Sequence, residues 1–414
     1  MAAPTRLPPP VTKTTGFFAA VVMTVCPTDM PAPIEVGLPT PAPEAGAHSA
    51  RVQAHLHALI ASAPQLNNSS QQLSISFADF MRAALYAPGL GYYAAGATKL
   101  GEGGDFVTAP EMSSFFGAAL AEVFAPMQAE NVIELGAGSG KLARDFLDAS
   151  PGAKHYSILD ISVDLRERQR AMLEGRAVNW LDALPAKIEG LVLANEVLDA
   201  VPCEIVRFHD EHYEQARICT MNDGFEWVWQ PLLTGSLLDA AKHRIPPIDG
   251  YTSEINLEAE ALVATLAERL TNGALCFIDY GFPKREYFVP DRSAGTLACH
   301  YQHRVHFDPL RLAGLQDITA HVDFTSIAEA AVDGGASVIC YASQAQFLLR
   351  AGLLQRFENT VFTSDVERIK ALGAIQKLLS PTEMGELFKV LIVGKGQAIE
   401  ALAKLADIDQ SYRL

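Results

Sequence analysis

Apolar residues in this chain gather into short runs, and amphipathic stretches lie between them. The runs are Val132–Leu135, Tyr156–Ser162, Ala177–Asp182, Gly190–Glu196, Ala274–Gly281, Ala336–Tyr341 and Phe388–Val393. Short apolar runs of this kind read as strands buried on both faces. Lys141–Leu147, Leu257–Leu270 and Phe324–Val332 carry apolar residues at helical spacing. Strands alternating with helices predict an α/β fold, a doubly wound and parallel seven-stranded sheet.

Upstream, Arg51–Ala63 repeats apolar residues (Val52, Leu56, Leu59, Ile60) as a helix does. A second helix is predicted over Ile75–Tyr86, with Ser76 as N-cap and a stop at Pro88-Gly89. The glycine-rich stretch Gly91–Glu111 reads as a lid. Its end, Thr108-Ala-Pro-Glu111, has the form of a capping box opening a helix that buries Phe116, Leu120 and Phe124. Glu204–Gln230 alternates with period two, with turns at 209–211 and 222–224, and predicts a β meander. Residues 231–256 look loop-rich. The expected organisation is a disordered tail at 1–50, a helical and lid region at 51–130, and a core at 131–414. A β-rich insertion at about 203–256 and a polar segment at about 282–323 interrupt that core.

The first strand of the core ends in Glu134-Leu-Gly136-Ala-Gly138-Ser-Gly140. A phosphate-binding P-loop would need Gly and Ser or Thr where Leu135 and Leu142 stand, and a dinucleotide fingerprint would need Gly at Lys141. Both fail. The remaining pattern, E-x-G-x-G-x-G, resembles the cofactor loop of the class I S-adenosylmethionine (SAM) methyltransferases. The ligand there carries a sulfonium and an amino acid and no pyrophosphate. The alternative is a tight turn in another α/β sheet.

Acids at the following strand ends add to this reading. Asp160 closes the second strand, where a carboxylate can accept both ribose hydroxyls of a nucleoside. Trp180-Leu-Asp182 ends the third, within reach of an adenine. The fourth strand runs into Asn195-Glu196-Val-Leu-Asp199, so a buried strand opens into a polar site. Expected cofactor contacts are Glu134, Gly136, Gly138, Gly140, Asp160, Asp182 and Asn195, with Asp105 of the lid adding a polar one.

Charge and composition narrow the partners. A net charge of −16 disfavours broad nucleic-acid or anionic membrane surfaces, which need Lys and Arg, and suits a cationic partner. No apolar run reaches the length of a membrane span. The run Gly16–Val25 imitates a signal-peptide core with poor flanks, and Met23 or Met30 is an alternative start. Cys26, Cys203, Cys219, Cys276, Cys299 and Cys340 are scattered without metal-ligand or disulfide spacing, which fits a reducing compartment and no metal.

Longer segments make the resemblance specific. Leu85-Tyr-Ala-Pro-Gly-Leu-Gly-Tyr-Tyr93, Gly104–Gly117, Ile133–Gly140, Ala194-Asn-Glu-Val-Leu-Asp-Ala-Val-Pro202, Phe277-Ile-Asp-Tyr-Gly281 and Gln316–Phe324 occur in this order. Together they resemble the MidA family of SAM-dependent methyltransferases, relatives of the mitochondrial complex I assembly factor, over nearly all of the chain after residue 70. Asp160 departs from the Glu common in the family. The resemblance implies the class I methyltransferase (Rossmann-like) fold, SAM as cofactor and protein arginine N-methylation. It also implies a protein substrate, a quinone-proximal core subunit of respiratory complex I. The compartment expected is a bacterial cytoplasm, or the mitochondrial matrix of a eukaryote.

An arginine acceptor needs carboxylates, because its cationic guanidinium is a poor nucleophile until a bidentate partner aims and polarises one nitrogen. Glu196 and Asp199 are the candidate clamp. The plainer alternative is that Asp199 caps a helix and Glu196 touches the cofactor. His321 is a candidate proton acceptor, with Asp323 fixing its tautomer if the segment is extended; His300 and His303 are weaker. A SAM-binding assembly chaperone with little catalysis and a small-molecule methyltransferase remain open.

Overall fold

The computed structural model describes residues 37–64, 72–95, 107–150 and 152–414. Seven strands form the main sheet: β1 (Asn131–Leu135), β2 (His155–Leu159), β3 (Val178–Leu181), β4 (Ile188–Asn195), β5 (Leu270–Phe282), β6 (Ser337–Ser343) and β7 (Phe388–Lys395). Their order is β6-β7-β5-β4-β1-β2-β3, and the short strand Val322–Asp323 pairs alongside β5. Pairs among β1 to β5 are parallel, whereas β7 runs antiparallel to both β5 and β6. The sheet is therefore mixed, which corrects the all-parallel expectation.

Alternation along each strand fills two cores. Val132, Leu191, Leu193, Cys276 and Ile278 face one layer, with Phe116, Leu120, Phe146 and Phe347. Ile133, Val192, Ala194, Leu275 and Phe277 face the other, with Val263, Leu266, Phe324 and Ile327. Successive side chains point to opposite faces, and both faces are covered by helices, so the runs had to be apolar throughout. Each fully buried Leu or Phe contributes roughly 1.5–3 kcal/mol.

A second sheet holds Ser74–Ser76, His212–Met221, Glu204–His209 and Thr252–Ile255, with Gly224–Pro231 on His212–Met221. The meander is present, and Ser74–Ser76 completes it. The helix Phe77–Tyr86 follows at once, with Ser76 Oγ accepting from Asp79 N at 3.1 Å. It packs Phe77 and Phe80 against Val52, Leu56 and Ile60 of the helix Pro43–Ala61. That helix starts at Pro43, so residues 43–50 belong to it and not to a tail.

Two further expectations change. Residues 231–256 contain the helix Ser236–Arg244 and the strand Thr252–Ile255. The helix begins after Gly235 with no capping side chain, and so leaves no start signal. The polar segment carries a small sheet of Ala298–Tyr301, Arg304–His306 and Asp317–Thr319. Among the described residues, no helix is long and apolar enough to cross a membrane.

Candidate active site

The carboxyl ends of β1, β2, β4 and β5 converge. At the end of β1, Gly136, Gly138 and Gly140 have φ of +59°, +54° and +86°. The chain there adopts a left-handed conformation that side chains with a Cβ resist. Space is also short: a Cβ at Gly136 would meet Val197 Cγ2 at 3.1 Å, and one at Gly140 would meet Gln169 Cα at 3.3 Å. Lys141–Ala149 starts its helix directly from this turn.

Two residues outside the sequence-based set hold the turn. Gln169, fully buried, donates to Gly138 O at 3.0 Å and to Asp160 Oδ2 at 2.7 Å, and accepts from Trp180 Nε1 at 3.0 Å. Asp160 Oδ1 also accepts from Ser162 N at 2.9 Å. Glu111 accepts from Ser139 Oγ. This corrects the capping box: Thr108 makes no side-chain cap, the first helix is only Ala109–Met112, and Ser113 caps the next, Ser114–Phe124. Glu111 braces the glycine turn because Ser113 already starts the following helix.

Glu134 is buried inside β1 and accepts from Tyr156 OH at 2.7 Å. Burial pushes its pKa up to about 8. Asp182 is placed differently: its carboxylate sits in solvent, held by the Arg166 guanidinium at 2.9 Å. It stands at the end of β3, as expected, but its side chain turns towards the helix Val163–Met172. Asp105 and the central part of the expected lid, residues 96–106, lie outside the described residues.

The end of β4 holds the most unusual chemistry. Glu196 has φ +53°, a left-handed backbone for a non-glycine residue, which is a cost that functional turns carry. Its amide donates to Ile278 O at 2.8 Å, and its Oε1 accepts from Asn195 Nδ2 at 3.0 Å. Burial, then the nearby Asp199 charge, raises its pKa to about 8, while the Ala109 backbone N–H opposes this. Asp199 is buried, and its Oδ2 accepts from Tyr280 OH at 2.6 Å. Its Oδ1 has no hydrogen-bond partner, although its own amide and that of Ala200 lie near. Burial lifts Asp199 to about 6. No helix follows it, so the helix-cap alternative does not apply. Asn195 Oδ1 is likewise buried without a partner.

One buried acid organises this turn. Asp279 Oδ2 accepts from the amides of Val197 at 3.2 Å, Leu198 at 3.0 Å and Asp199 at 3.3 Å. Its other oxygen accepts from Tyr280 N at 2.9 Å. Burial, with Asp199 and Glu196 beside it, holds its pKa well above the carboxylate range.

His321 does not form the expected pair. Asp323 caps the helix Phe324–Asp333 through Thr325 N and Ser326 N, so it cannot set the imidazole tautomer. The His321 ring lies against Tyr280 and Phe282, its Nδ1 has no partner, and burial lowers its pKa to about 3. It is neutral at pH 7 and a weak base.

The residues present suit a ligand with a sulfonium, an amino group and a ribose. A turn with glycine at every second position lets backbone come close, an acid ends β2, and unpartnered acceptors stand at the end of β4. With this sheet order, the fold and site define a class I SAM-dependent methyltransferase. A family profile described as "Putative S-adenosyl-L-methionine-dependent methyltransferase" matches residues 116–342. The chain belongs to that family, the MidA-type SAM-dependent methyltransferases. A Burkholderia thailandensis protein solved with S-adenosyl-homocysteine (SAH) bound is 40% identical, with a TM-score of 0.83, covering 91% of this chain and 100% of that one. The mitochondrial protein arginine methyltransferase NDUFAF7 of Danio rerio is 28% identical over 370 residues, 77% of this chain and 83% of that protein. Its Drosophila melanogaster homologue is 27% identical over 366 residues, 78% and 82% respectively. The cofactor is SAM.

Proposed function

We propose that this enzyme methylates a guanidinium nitrogen of arginine in a protein chain. The observation that carries the proposal is the pair of carboxyl groups at the end of β4, Glu196 and Asp199, with Asp199 Oδ1 buried and unpartnered. The side-chain oxygens left without a partner there, Asp199 Oδ1 and Asn195 Oδ1, are acceptors, so the fitting ligand is a donor-rich cation. A guanidinium offers five N–H groups in one plane and matches paired carboxylates.

SAM, when bound, supplies a methyl group already activated by its sulfonium charge. The chain's own residues do the rest. Gly136, Gly138 and Gly140 would admit the cofactor's amino-acid end, Asn195 Oδ1 would accept from its amino group, and Asp160 would take the ribose hydroxyls. Glu134 supports the turn from within β1. Asp182 would offer only its backbone to the adenine, since its carboxylate is paired with Arg166. Asp199 and Glu196 orient the guanidinium. The free protein near neutral pH holds a proton on Glu196, because that pKa is raised to about 8. An entering cation favours the ionised form and expels that proton. Glu196 is then the base that takes the proton the attacking nitrogen loses on methylation.

The arginine acceptor joins this site to the activity named for the mitochondrial relatives. The partner that the MidA resemblance implies is a quinone-proximal core subunit of respiratory complex I, met in a bacterial cytoplasm or a mitochondrial matrix. The test is incubation with methyl-labelled SAM and cell lysate, followed by mass spectrometry. Methyl-arginine that disappears with Glu196→Gln, while SAM affinity stays within a few fold, is the expected result. Methyl-lysine, or label confined to small molecules, refutes it.

A further inference from the structure

The polar segment brings a second acidic wall to the same place. The strand Asp317–Thr319 docks on the β4 turn through Ala320 N, which donates to Asp199 O at 3.0 Å. Asp317 and Thr319 are two apart on a strand and so share a face. Asp317 is buried, and its Oδ2 accepts from Tyr93 OH at 2.9 Å. Its charge reaches Glu196 and Tyr86 as well. Thr319 is 2% exposed, lies near the Tyr280 hydroxyl, and has an Oγ1 with no hydrogen-bond partner.

Tyr93 stacks on Tyr86 with ring centres 5.5 Å apart and planes within 16°. Tyr86 OH is anchored on Ala200 O at 2.7 Å, in the same turn as Asp199. Both rings keep part of their surface open. Two tyrosine–carboxylate pairs, Tyr280–Asp199 and Tyr93–Asp317, therefore flank the turn. They come from different parts of the chain: one from β4 and β5, the other from the N-terminal region and the polar segment. Asp199 Oδ1, a buried acceptor without a partner, belongs to the first pair, and the Thr319 hydroxyl lies beside Tyr280.

We propose that Asp317, Thr319, Tyr93 and Tyr86 form the second wall of the acceptor pocket and make it selective for a planar guanidinium over an ammonium. This rests on the arginine reading above. A flat, delocalised cation can lie along a tyrosine face and fork towards carboxylates on two sides. A lysine ammonium is a compact and strongly hydrated point charge, and it satisfies one wall at a time.

The test titrates the full-length, SAH-loaded protein with Nα-acetyl-arginine amide and Nα-acetyl-lysine amide, monitored by NMR. The wild type is expected to bind the arginine probe more tightly. Asp317→Asn keeps an oxygen for Ile318 N, which now donates to Asp317 Oδ1 at 3.0 Å, and offers an NH2 that the Tyr93 hydroxyl can accept from, while removing the charge. It should weaken the arginine probe about tenfold or more, the loss of one charge-assisted bond. It should leave SAH affinity and thermal stability within about twofold and a few degrees. Tyr93→Phe should lower arginine affinity in the same direction and shrink the preference over lysine. Undiminished arginine binding by Asp317→Asn overturns this wall and leaves the arginine acceptor standing. A wild type that prefers the lysine probe, or one whose arginine binding ignores both Asp317→Asn and Glu196→Gln, overturns both.

Discussion

Asp279 offers the most direct way to test whether the β4 turn is a built device. Its side chain receives four backbone N–H groups: those of Val197, Leu198, Asp199 and Tyr280. Each such bond contributes about 0.5–1.5 kcal/mol net, so four give about 2–6 kcal/mol. Asp279→Ala removes all of them and leaves buried donors unmet, so a loss of about 3–6 kcal/mol is expected. Asp279→Asn turns one acceptor into a donor. Its oxygen can serve the three turn amides while its NH2 faces the Tyr280 amide, and the loss should be about 1–3 kcal/mol. Urea unfolding of both variants measures this. Methyl transfer should fall by more than stability explains, because Glu196 and Asp199 lose the frame that aims them. SAH affinity should change less, since the glycine turn hangs on Gln169 and Glu111 instead. An Asp279→Asn protein within about 0.5 kcal/mol of wild type and fully active would sink this reasoning.

Gly138→Val should abolish SAM binding in a folded protein, because φ of +54° excludes a branched side chain; calorimetry with undiminished affinity refutes it. Asp160→Ala should weaken SAM by about 1.5–3 kcal/mol through lost ribose bonds and a freed Gln169; an unchanged Kd moves the ribose contact elsewhere. Glu134 has a folded pKa of about 8 against 4.5 ordinarily. Its protonated form is therefore favoured by folding, and its contribution is complete below about pH 4.5 and declines as pH rises towards about 8. Glu134→Gln keeps an acceptor for Tyr156 without that decline. Its stability relative to wild type should rise between about pH 5.5 and 7.5, by up to about 1.4 kcal/mol per pH unit, and a flat difference in urea unfolding rejects the assignment.

Local backbone demands made part of this protein legible. The glycine turn and the strand-end acids announce themselves because a left-handed turn and a buried strand each restrict which residues can stand there. Glu196 and Asp199 were visible for the same reason, as polar residues closing an apolar run. Asp279 was not, although its strand was: its partners lie about eighty residues earlier, and nothing near it tells a capping acid from a solvated one. Gln169 sits mid-helix, where its partners Gly138 and Trp180 belong to other elements. Glu111 fitted a local capping pattern and was drawn instead to Ser139. Asp317 was hidden because its value depends on Tyr93, on the far side of the core in sequence.

The antiparallel insertion of β7 has a consequence for how the chain is made. β5 is paired over Gly273–Tyr280 with Phe388–Lys395, the last strand of the sheet to leave the ribosome. Until then β5 is an edge strand: apolar on both faces, long, and with one row of amides and carbonyls unmatched. Such an edge is a template for pairing with other chains. β1 to β5 and the turns they carry are all translated before it. The half of the sheet that carries the glycine turn is thus complete in sequence well before the molecule is protected from its neighbours. A chain cut short before residue 388 would keep its glycine turn and strand-end acids and leave β5 as an open edge.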